Sequence, residues 1–411
     1  MKELHTGRLY WPTTLAVSRN HTSLKENIKT TVAIVGGGMS GVTCAYVLAS
    51  GGMDVVLIER GKIAEGSTSA NTGLLQFCND VMLVDLIKQI GRGPAETFYT
   101  HCKKAVEQLA AVAQSLPVDV GYRDRSSLYF ASSEQDLPKL KKEYEALAAC
   151  GFDVEYWTPD KIALHFPFRK SGAIVTHGDA EVNPYQFVNG LTDAAQLAGT
   201  RIFEETDVNN LQTLEDGIHH LHTSLGYTIE AEHVIYAVGY EPEELRGRLV
   251  KANLNRSYAI VTGVQSHLES WHKRFMLWET ARPYLYTRTT IDDRIVVGGL
   301  DEETEQPVHS QQTISRRSKQ LMEKLLALFP DIQPTVEYEW SATFGESQDN
   351  LPFIGEDPKW PNVYYSLGYG GNGTVYSMIA AHLLLDLIQG KGGQHPLTEI
   401  VSLSRASLTD S

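Results

Sequence analysis

The sequence predicts an α/β protein in which a domain with a parallel sheet is interwoven with an α+β domain built on an antiparallel sheet. Continuous apolar runs at 31–35 and 54–59 flank a helical stretch, which is the pattern of a buried βαβ unit. From 258 to 299 the chain alternates like the strands of an antiparallel sheet. No linker separates these regions, so we expect the two domains to exchange the chain several times.

The remaining elements follow from local patterns. Asn183 is a candidate cap and Gly199 a stop signal for a helix over 184–198. Apolar spacing also predicts helices over 81–116, 134–149, 315–329 and 374–388. Strands are expected at 127–131 and 363–366, with four short ones between 201 and 237.

Composition excludes several classes of partner. Among 411 residues, 50 acidic and 36 basic side chains give a net charge of −14, which argues against binding to nucleic acid. No run approaches the roughly 20 apolar residues of a membrane span, so we expect no integral membrane association. The N-terminus has no signal-peptide pattern, and the four cysteines show no CxxC spacing. We therefore expect reduced thiols and a cytoplasmic location.

A glycine-rich turn follows the first strand. Gly36 permits a tight turn, Gly38 permits close approach of a pyrophosphate, and Gly41 permits packing of the next helix on the sheet. Glu59, at the end of the second strand, is placed to accept a hydrogen bond from a ribose hydroxyl. The pattern predicts dinucleotide binding. Glu59 would repel the 2′-phosphate of NADP, whereas NAD and FAD both remain open.

Two further segments bear on which dinucleotide binds. Residues 59–75 are rich in small and hydroxylated side chains that can wrap a long ligand, although a surface loop is the alternative. Residues 367–374 contain four glycines between a strand and a long helix. The N-terminus of that helix can stabilise negative charge, as on a reduced flavin ring, although a plain turn is the alternative.

These segments resemble those of the FAD-dependent amino acid and amine oxidoreductases of the D-amino-acid oxidase, glycine oxidase and sarcosine oxidase group. The resemblance rests on the opening βαβ unit, GSTSANTGLL, DAEVNP at 179–184, VIYAVG at 234–239, residues 340–355 and GYGGNGT at 368–374. The arm with Tyr10 and Trp11 and the overall layout resemble gamma-glutamylputrescine oxidase-like proteins most.

The resemblance implies a set of FAD-binding residues. The diphosphate would be held by Gly36, Gly38, Met39, Ser40 and Gly41, with Ala237 and Gly239 nearby. Glu59 and Arg60 would flank the adenosine, and the backbone of Val208 would contact the adenine. The ribityl chain would run along Ser67, Thr68, Asn71, Thr72, Gly73 and Leu74. The pyrimidine side of the flavin would face Gly371, Asn372, Gly373 and Thr374.

The same resemblance suggests domain boundaries. Residues 1–30 would form an N-terminal arm. Residues 31–80, 172–240 and 340–395 would form a Rossmann-like FAD-binding domain. Residues 81–171 and 241–339 would form the substrate domain.

Departures from the family pattern are informative. Some members tether FAD through a cysteine or a histidine in the stretches that here read 341–344 and 69–71; neither residue type is present, so we expect non-covalent FAD. The lysine that helps sarcosine oxidases react with oxygen is absent near Val296. The stretch 343–351 lacks the arginine that binds the substrate carboxylate in glycine and D-amino-acid oxidases. Arg288 could replace it, unless it is a surface arginine, and Tyr286 and Trp340 could wall the substrate pocket.

The predicted activity is oxidation of a C–N bond of a small amine or amino acid by hydride transfer to flavin N5. Electrons would then pass to oxygen, or to a carrier or quinone if the enzyme is a dehydrogenase. A non-catalytic FAD-binding module and an NAD-dependent dehydrogenase are weaker alternatives. His219, His220 and His222 lie on one short strand without metal-ligand spacing, so we expect no metal site.

Overall fold

The computed structural model describes residues 4–16, 20–240, 252–304 and 306–408. The predicted start of the second substrate segment at 241 lies outside the described residues. The described strands are β1 (His5–Arg8), β2 (Ile28–Val35), β3 (Val55–Ile58), β4 (Leu74–Leu75), β5 (Arg123–Phe130), β6 (Val154–Trp157), β7 (Ala173–Glu181), β8 (Arg201–Phe203), β9 (Val208–Thr213), β10 (His219–Thr223), β11 (Thr228–Tyr236), β12 (Ala252–Thr262), β13 (Met276–Glu279), β14 (Leu285–Thr289), β15 (Ile295–Glu302), β16 (Val336–Ser347), β17 (Phe353–Glu356) and β18 (Val363–Leu367).

The described α-helices alternate with these strands. They are α1 (Met39–Ser50), α2 (Ser67–Ala70), α3 (Leu83–Ile90), α4 (Arg92–Ser115), α5 (Leu137–Ala149), α6 (Pro159–His165), α7 (Pro184–Leu197), α8 (Gln311–Leu328) and α9 (Gly373–Ile388). The predicted helix over 81–116 is interrupted at Gly91, whose φ of +88° ends α3 and starts α4. Among the described helices, none combines the length and apolarity that crossing a bilayer requires.

The first sheet is the predicted parallel one. Its strands follow the order β17-β18-β11-β2-β3-β8, and the hairpin β9–β10 continues from β11. Strands β18, β11, β2, β3 and β8 run parallel to one another, and β17 is antiparallel to β18. Their central residues are fully buried, as expected for a sheet that is covered on both faces. Helices α1, α7 and α9 pack together against this sheet.

The second sheet has ten strands. Its order is β1-β16-β12-β15-β14-β13-β5-β7-β4, and β6 pairs with β7. All pairs are antiparallel except β13 with β5. Leu321 and Leu325 of α8 pack on Ile260 and Val297 in the core of the outer face. The other face looks towards the first sheet and forms one side of the site described below. The α/β fold class with an antiparallel substrate sheet is therefore confirmed.

The domain boundaries stay a prediction, and the strand pairing near four of them is as follows. Strands β7 and β16, which we assigned to the FAD-binding domain from 172 and from 340, hydrogen-bond within the ten-stranded sheet. Strand β4, within 31–80, joins the same sheet through β7. Within the predicted arm, Ile28 already pairs with β11. Pairing with distant segments decides which sheet each of these strands joins, and local patterns do not encode that pairing.

Candidate active site

The turn between β2 and α1 requires glycine at two positions. Gly36 has φ of +110°, and a Cβ there would lie 2.4 Å from the carbonyl oxygen of Ala237. A Cβ on Gly41 would lie 1.8 Å from the carbonyl oxygen of Gly36. Because neither Gly36 nor Gly41 has a side chain, the backbone of the turn lies close to the end of β11. The N-terminus of α1 therefore lies at the carboxyl edge of the sheet. This is where such sheets bind a diphosphate.

Glu59 is fixed beside the turn. Its carboxylate accepts hydrogen bonds from the backbone N–H groups of Gly37 at 2.6 Å and Gly61 at 2.7 Å. Burial raises the pKa of Glu59, and these two donors act in the opposite direction. The Thr68 hydroxyl accepts a bond of 2.9 Å from the Met39 N–H in the first turn of α1. The predicted adenosine and diphosphate residues therefore lie together.

The segment 67–74 meets the glycine turn that precedes α9. The Asn71 side chain accepts a bond from the Gly73 N–H at 2.7 Å and donates to the Thr374 hydroxyl at 3.4 Å. The Asn372 amide donates to the carbonyl oxygens of Gln76 and Cys78, at 3.0 and 2.9 Å. Side-chain amides thus join two segments that are far apart in the sequence.

A cavity of about 1050 Å³, counted to its open mouth, lies between these two segments and the inner face of the ten-stranded sheet. Its wall includes eight residues that the resemblance assigned to the cofactor or substrate, namely Ser67, Asn71, Thr72, Leu74, Tyr286, Gly371, Asn372 and Gly373. The Ser67 hydroxyl is buried and has no hydrogen-bond partner among the described residues. This unsatisfied group, the glycine turns and the α1 N-terminus fit a flavin dinucleotide.

Arg288 does not reach this cavity. Only 2% of its surface is exposed, and its guanidinium donates to the carbonyl oxygens of Thr72 at 2.8 Å and Val182 at 2.9 Å. It also lies 3.6 Å from the buried carboxylate of Glu181 and 5.1 Å from the centre of the Trp11 ring. The alternative of a surface arginine is wrong, and these contacts do not favour the predicted carboxylate clamp, which stays a prediction. Arg288 is a buried cross-link between the sheet and the segment 67–74.

Trp340 is also placed differently from the prediction. It is 1% exposed, and its indole N–H donates to the Ala70 carbonyl oxygen at 3.1 Å, so it supports the cofactor segment from beneath. Tyr286 does line the cavity, and its ring lies over Gly298, where a Cβ would come within 2.3 Å of it. Burial raises the pKa of Tyr286 to about 12, so its phenol stays neutral at physiological pH.

The other predicted FAD residues occupy the expected edge of the sheet. Ser40 lies in the first turn of α1, and Arg60 directly follows Glu59. Ala237 and Gly239 follow β11, where the Ala237 N–H donates to the Val35 carbonyl oxygen at 2.8 Å. Val208 begins β9 and is buried. Their contacts with FAD stay predictions.

Several wall residues were not identified from the sequence as site residues, namely Asp80, Tyr240, Ser257, Trp278, Tyr284, Asp301 and Phe344. Tyr284 carried a usable signal, because it lies two residues from Tyr286 and therefore on the same face. Asp301 carried none, since its position depends on the register of β15 against β12. Burial raises the pKa of Asp301 to about 6, and the nearby Asp80 carboxylate adds to this effect.

The site combines a glycine turn beside an acidic residue, Glu59, with a second glycine turn that faces the cavity. This combination defines a flavin-dependent oxidoreductase. The family model described as FAD dependent oxidoreductase, DAO, matches residues 31–387, and the chain belongs to this family. Its cofactor is FAD, and the chain is an oxidoreductase.

Individual relatives are distant but extensive. A Bacillus subtilis (strain 168) protein provisionally named as a Rieske 2Fe-2S iron-sulfur protein, YhfW, is 24% identical over 97% of this chain and 76% of its own length. Gamma-glutamylputrescine oxidoreductase of Escherichia coli (strain K12) is 24% identical over 90% of this chain and 85% of its own. The crystal structure of glycine oxidase from Geobacillus kaustophilus superposes with a TM-score of 0.79 at 22% identity, covering 92% of this chain and 99% of that one. At that identity the superposition supports the fold alone.

Proposed function

We propose that this protein oxidises the C–N bond of a small amine or amino acid with non-covalently bound FAD. The observation that carries this proposal is the cavity, in which the predicted flavin-facing segments 67–74 and 371–374 meet an aromatic wall on the substrate sheet. When bound, FAD would accept the two electrons and proton of the substrate C–H bond as hydride, and water would hydrolyse the resulting imine to a carbonyl compound and ammonia, or an amine where the substrate is a secondary amine.

The residues of this chain supply binding, orientation and charge stabilisation. The N-terminus of the 16-residue helix α9 opens on the cavity through Gly371 and Gly373, and its dipole would stabilise negative charge that develops there. Trp278, Tyr284 and Phe344 supply an apolar wall that limits water. The phenols of Tyr240 and Tyr286 have pKa values that burial raises to about 12, so they orient substrate as neutral groups rather than act as bases.

The test is the visible spectrum of the holoprotein, recorded anaerobically with amines and amino acids and again after admission of air. Bleaching by at least one compound class is the expected result. A yellow protein that no amine or amino acid bleaches would contradict the proposal.

Non-covalent attachment is tested by acid precipitation. Cys78 is the thiol that lines the cavity among the described residues, and burial raises its pKa well above the usual range, so it stays protonated and weakly nucleophilic. We expect all the flavin in the supernatant. A yellow pellet would refute this, and Cys78→Ser would then show whether Cys78 is the attachment point.

Transfer of electrons to a carrier rather than to oxygen is the second candidate. Val296 is fully buried on β15 in the region where sarcosine oxidases resemble this chain but use a lysine. The iron-sulfur name of the Bacillus subtilis relative also favours a carrier. Slow recovery of the bleached flavin in air, with fast recovery on addition of an artificial electron acceptor, would support a dehydrogenase.

A further inference from the structure

The charged groups of the cavity wall have one sign. Asp80 and Asp301 line the cavity, whereas no lysine, arginine or histidine is found among the described lining residues. Arg282 is the basic group nearest to them. It is exposed, donates to the Asp80 backbone carbonyl oxygen at 3.2 Å and lies 4.7 Å from the centre of the Tyr284 ring. Its side chain is not among the described lining residues, although its positive charge lowers the pKa of Asp301 and of Glu346 and so offsets part of their mutual repulsion.

A third carboxylate extends this acidic region along the sheet. Asn255 and Ser257 on β12 pair with Phe344 and Ala342 on β16, respectively. The two residues on each strand are two positions apart, so all four side chains lie on the cavity face. Glu346, two residues beyond Phe344, shares that face and accepts a hydrogen bond from Asn255. Burial, followed by the charges of Asp80 and Asp301, raises the pKa of Glu346 to about 7.

Two oxygens in this region, Asn255 Oδ1 and Asp301 Oδ1, are buried without a hydrogen-bond partner among the described residues, and the second belongs to a carboxyl group. The Asp301 Oδ1 atom is buried without a hydrogen bond among the described residues, although Ser257 bonds to the same carboxyl group. A buried carboxylate oxygen without a donor is desolvated and receives no compensating hydrogen bond, which is unfavourable. A cationic ligand would supply both the missing donor and the missing charge.

The aromatic wall favours the same kind of ligand. Tyr284 and Tyr286 lie on the cavity side with ring centres 5.5 Å apart, and Trp278 also lines the cavity. Aromatic faces attract ammonium groups electrostatically. In contrast, Arg288 is occupied by backbone carbonyl oxygens and Glu181, and these contacts do not favour its binding of a substrate carboxylate.

We propose that the substrate is a diamine or polyamine without a carboxylate, whose second ammonium group is held by Asp301, with Asp80 and Glu346 nearby, beside the rings of Tyr284 and Tyr286. This inference rests on the proposed amine oxidation and names its substrate class. It also explains why the position facing Asn255 on the cavity face is Phe344 rather than a basic residue.

The first experiment measures binding without turnover. Hexamethonium carries two quaternary ammonium groups and cannot be deprotonated, and glutarate, a shorter chain, carries two carboxylates instead. Isothermal titration of the holoprotein at pH 8 is expected to show binding of hexamethonium and none of glutarate. Asp301→Asn should weaken hexamethonium binding by about 10-fold, because it removes an opposite charge beside the bound cation; hexamethonium has no N–H group, so this experiment measures the charge and not the hydrogen bond. Glu269→Gln, at a carboxylate that is 80% exposed, is the matched control and should change nothing.

The second experiment measures substrate preference. Anaerobic flavin reduction by 1,4-diaminobutane is compared with that by butylamine, which lacks the second charge, and 4-aminobutanoate, which replaces it with a carboxylate. The diamine should reduce the flavin with the highest second-order rate constant, and Asp301→Asn should remove most of its advantage over butylamine.

The outcomes separate this inference from the proposed function. Reduction by 4-aminobutanoate or α-amino acids alone, or binding of glutarate in place of hexamethonium, would overturn the diamine inference while amine oxidation stands. Unchanged hexamethonium affinity in Asp301→Asn would also overturn it. Hexamethonium binding without flavin reduction by any amine would overturn the proposed function and, with it, the inference that a diamine is the substrate.

Discussion

Arg288 shows how one residue can be placed on the right face and still have another role. It lies two residues from Tyr286 on β14, so alternation directs both side chains to the inner face of the sheet. Trp11 of the arm and the segment 67–74 cover that end of the face, which converts a candidate ligand-binding group into a buried ion pair. Alternation along a strand predicts the face of the sheet on which a side chain lies. The segments that cover that face come from distant parts of the sequence.

Arg288→Met should therefore lower stability rather than substrate affinity. The substitution leaves Glu181 buried opposite Arg125 alone and leaves the Thr72 and Val182 carbonyl oxygens without donors, which is expected to cost about 3–5 kcal/mol. Urea denaturation of the holoprotein at pH 7 measures the loss. Arg169→Met, at an exposed arginine with one surface ion pair, should change stability by less than about 0.5 kcal/mol. Normal stability with a KM raised for carboxylate substrates alone would restore the clamp.

At the level of elements, the N-terminal arm acts on the cofactor segment. Strand β1 pairs with β16, and the Trp11 indole N–H donates to the Asn71 carbonyl oxygen at 2.5 Å. Trp340 donates to the neighbouring Ala70 carbonyl oxygen from the sheet below. Two tryptophans from opposite ends of the chain thus fix the segment that the Asn71 side chain links to α9.

Trp11→Phe should weaken FAD binding. It removes one backbone contact of the cofactor segment, worth about 0.5–1.5 kcal/mol, and the dissociation constant should rise by about 2- to 10-fold. Tyr10→Phe is the matched control, because the Tyr10 hydroxyl donates at 2.8 Å to Asp292, away from the cofactor segment. Titration of apoprotein with FAD, followed by flavin fluorescence, compares the two. Equal effects of both substitutions would show that the arm acts only as a general scaffold.

Gly41→Ala should abolish FAD binding. Its methyl group would lie 1.8 Å from the Gly36 carbonyl oxygen, so the turn and the α1 N-terminus must separate. Gly93→Ala is the control: it lies in α4, its Cβ meets nothing within 4 Å beyond its chain neighbours, and the change should leave FAD affinity unaltered. Thermal melting and FAD titration of both variants test this. Retained FAD affinity in Gly41→Ala would disprove the requirement for glycine.

The predictable elements are those with local signals. The helix expected over 184–198 is α7, and Asn183 accepts a hydrogen bond from the Gln186 N–H at 3.0 Å, as an N-cap does. The βαβ unit and the glycine turn were likewise predictable, because strand, turn and helix are adjacent in the sequence. The sheet that β7 and β16 join and the position of Asp301 could not be predicted, because long-range strand pairing decides them. Asp80 lies in the loop between β4 and α3, where no local pattern predicts its neighbours.

For the whole molecule, buried acids set the dependence of stability on pH. Burial raises the pKa of Glu143 and Glu346 to about 7 and that of Asp179 and Asp301 to about 6. In the unfolded chain such groups titrate near about 4. Between pH 4 and 7 the folded state therefore binds more protons than the unfolded state, and its stability falls as the pH rises. The net charge of −14 adds self-repulsion in the same direction.

Stability should thus be greatest on the acid side of neutrality. At low pH, stability is limited by groups such as Glu155. Its bond with Lys161 lowers the pKa of Glu155 to about 2, so the contribution of this group to stability is lost only in strong acid. Urea midpoints of the holoprotein in fixed excess FAD should decrease from pH 5.5 to 8. Glu143→Gln should flatten this decrease mainly between pH 5 and 7, because it removes a carboxyl group that the Leu83 and Val84 N–H groups hold in the interior. A stability maximum at pH 8, or an unchanged slope in Glu143→Gln, would show that these carboxyl groups do not control the folding equilibrium.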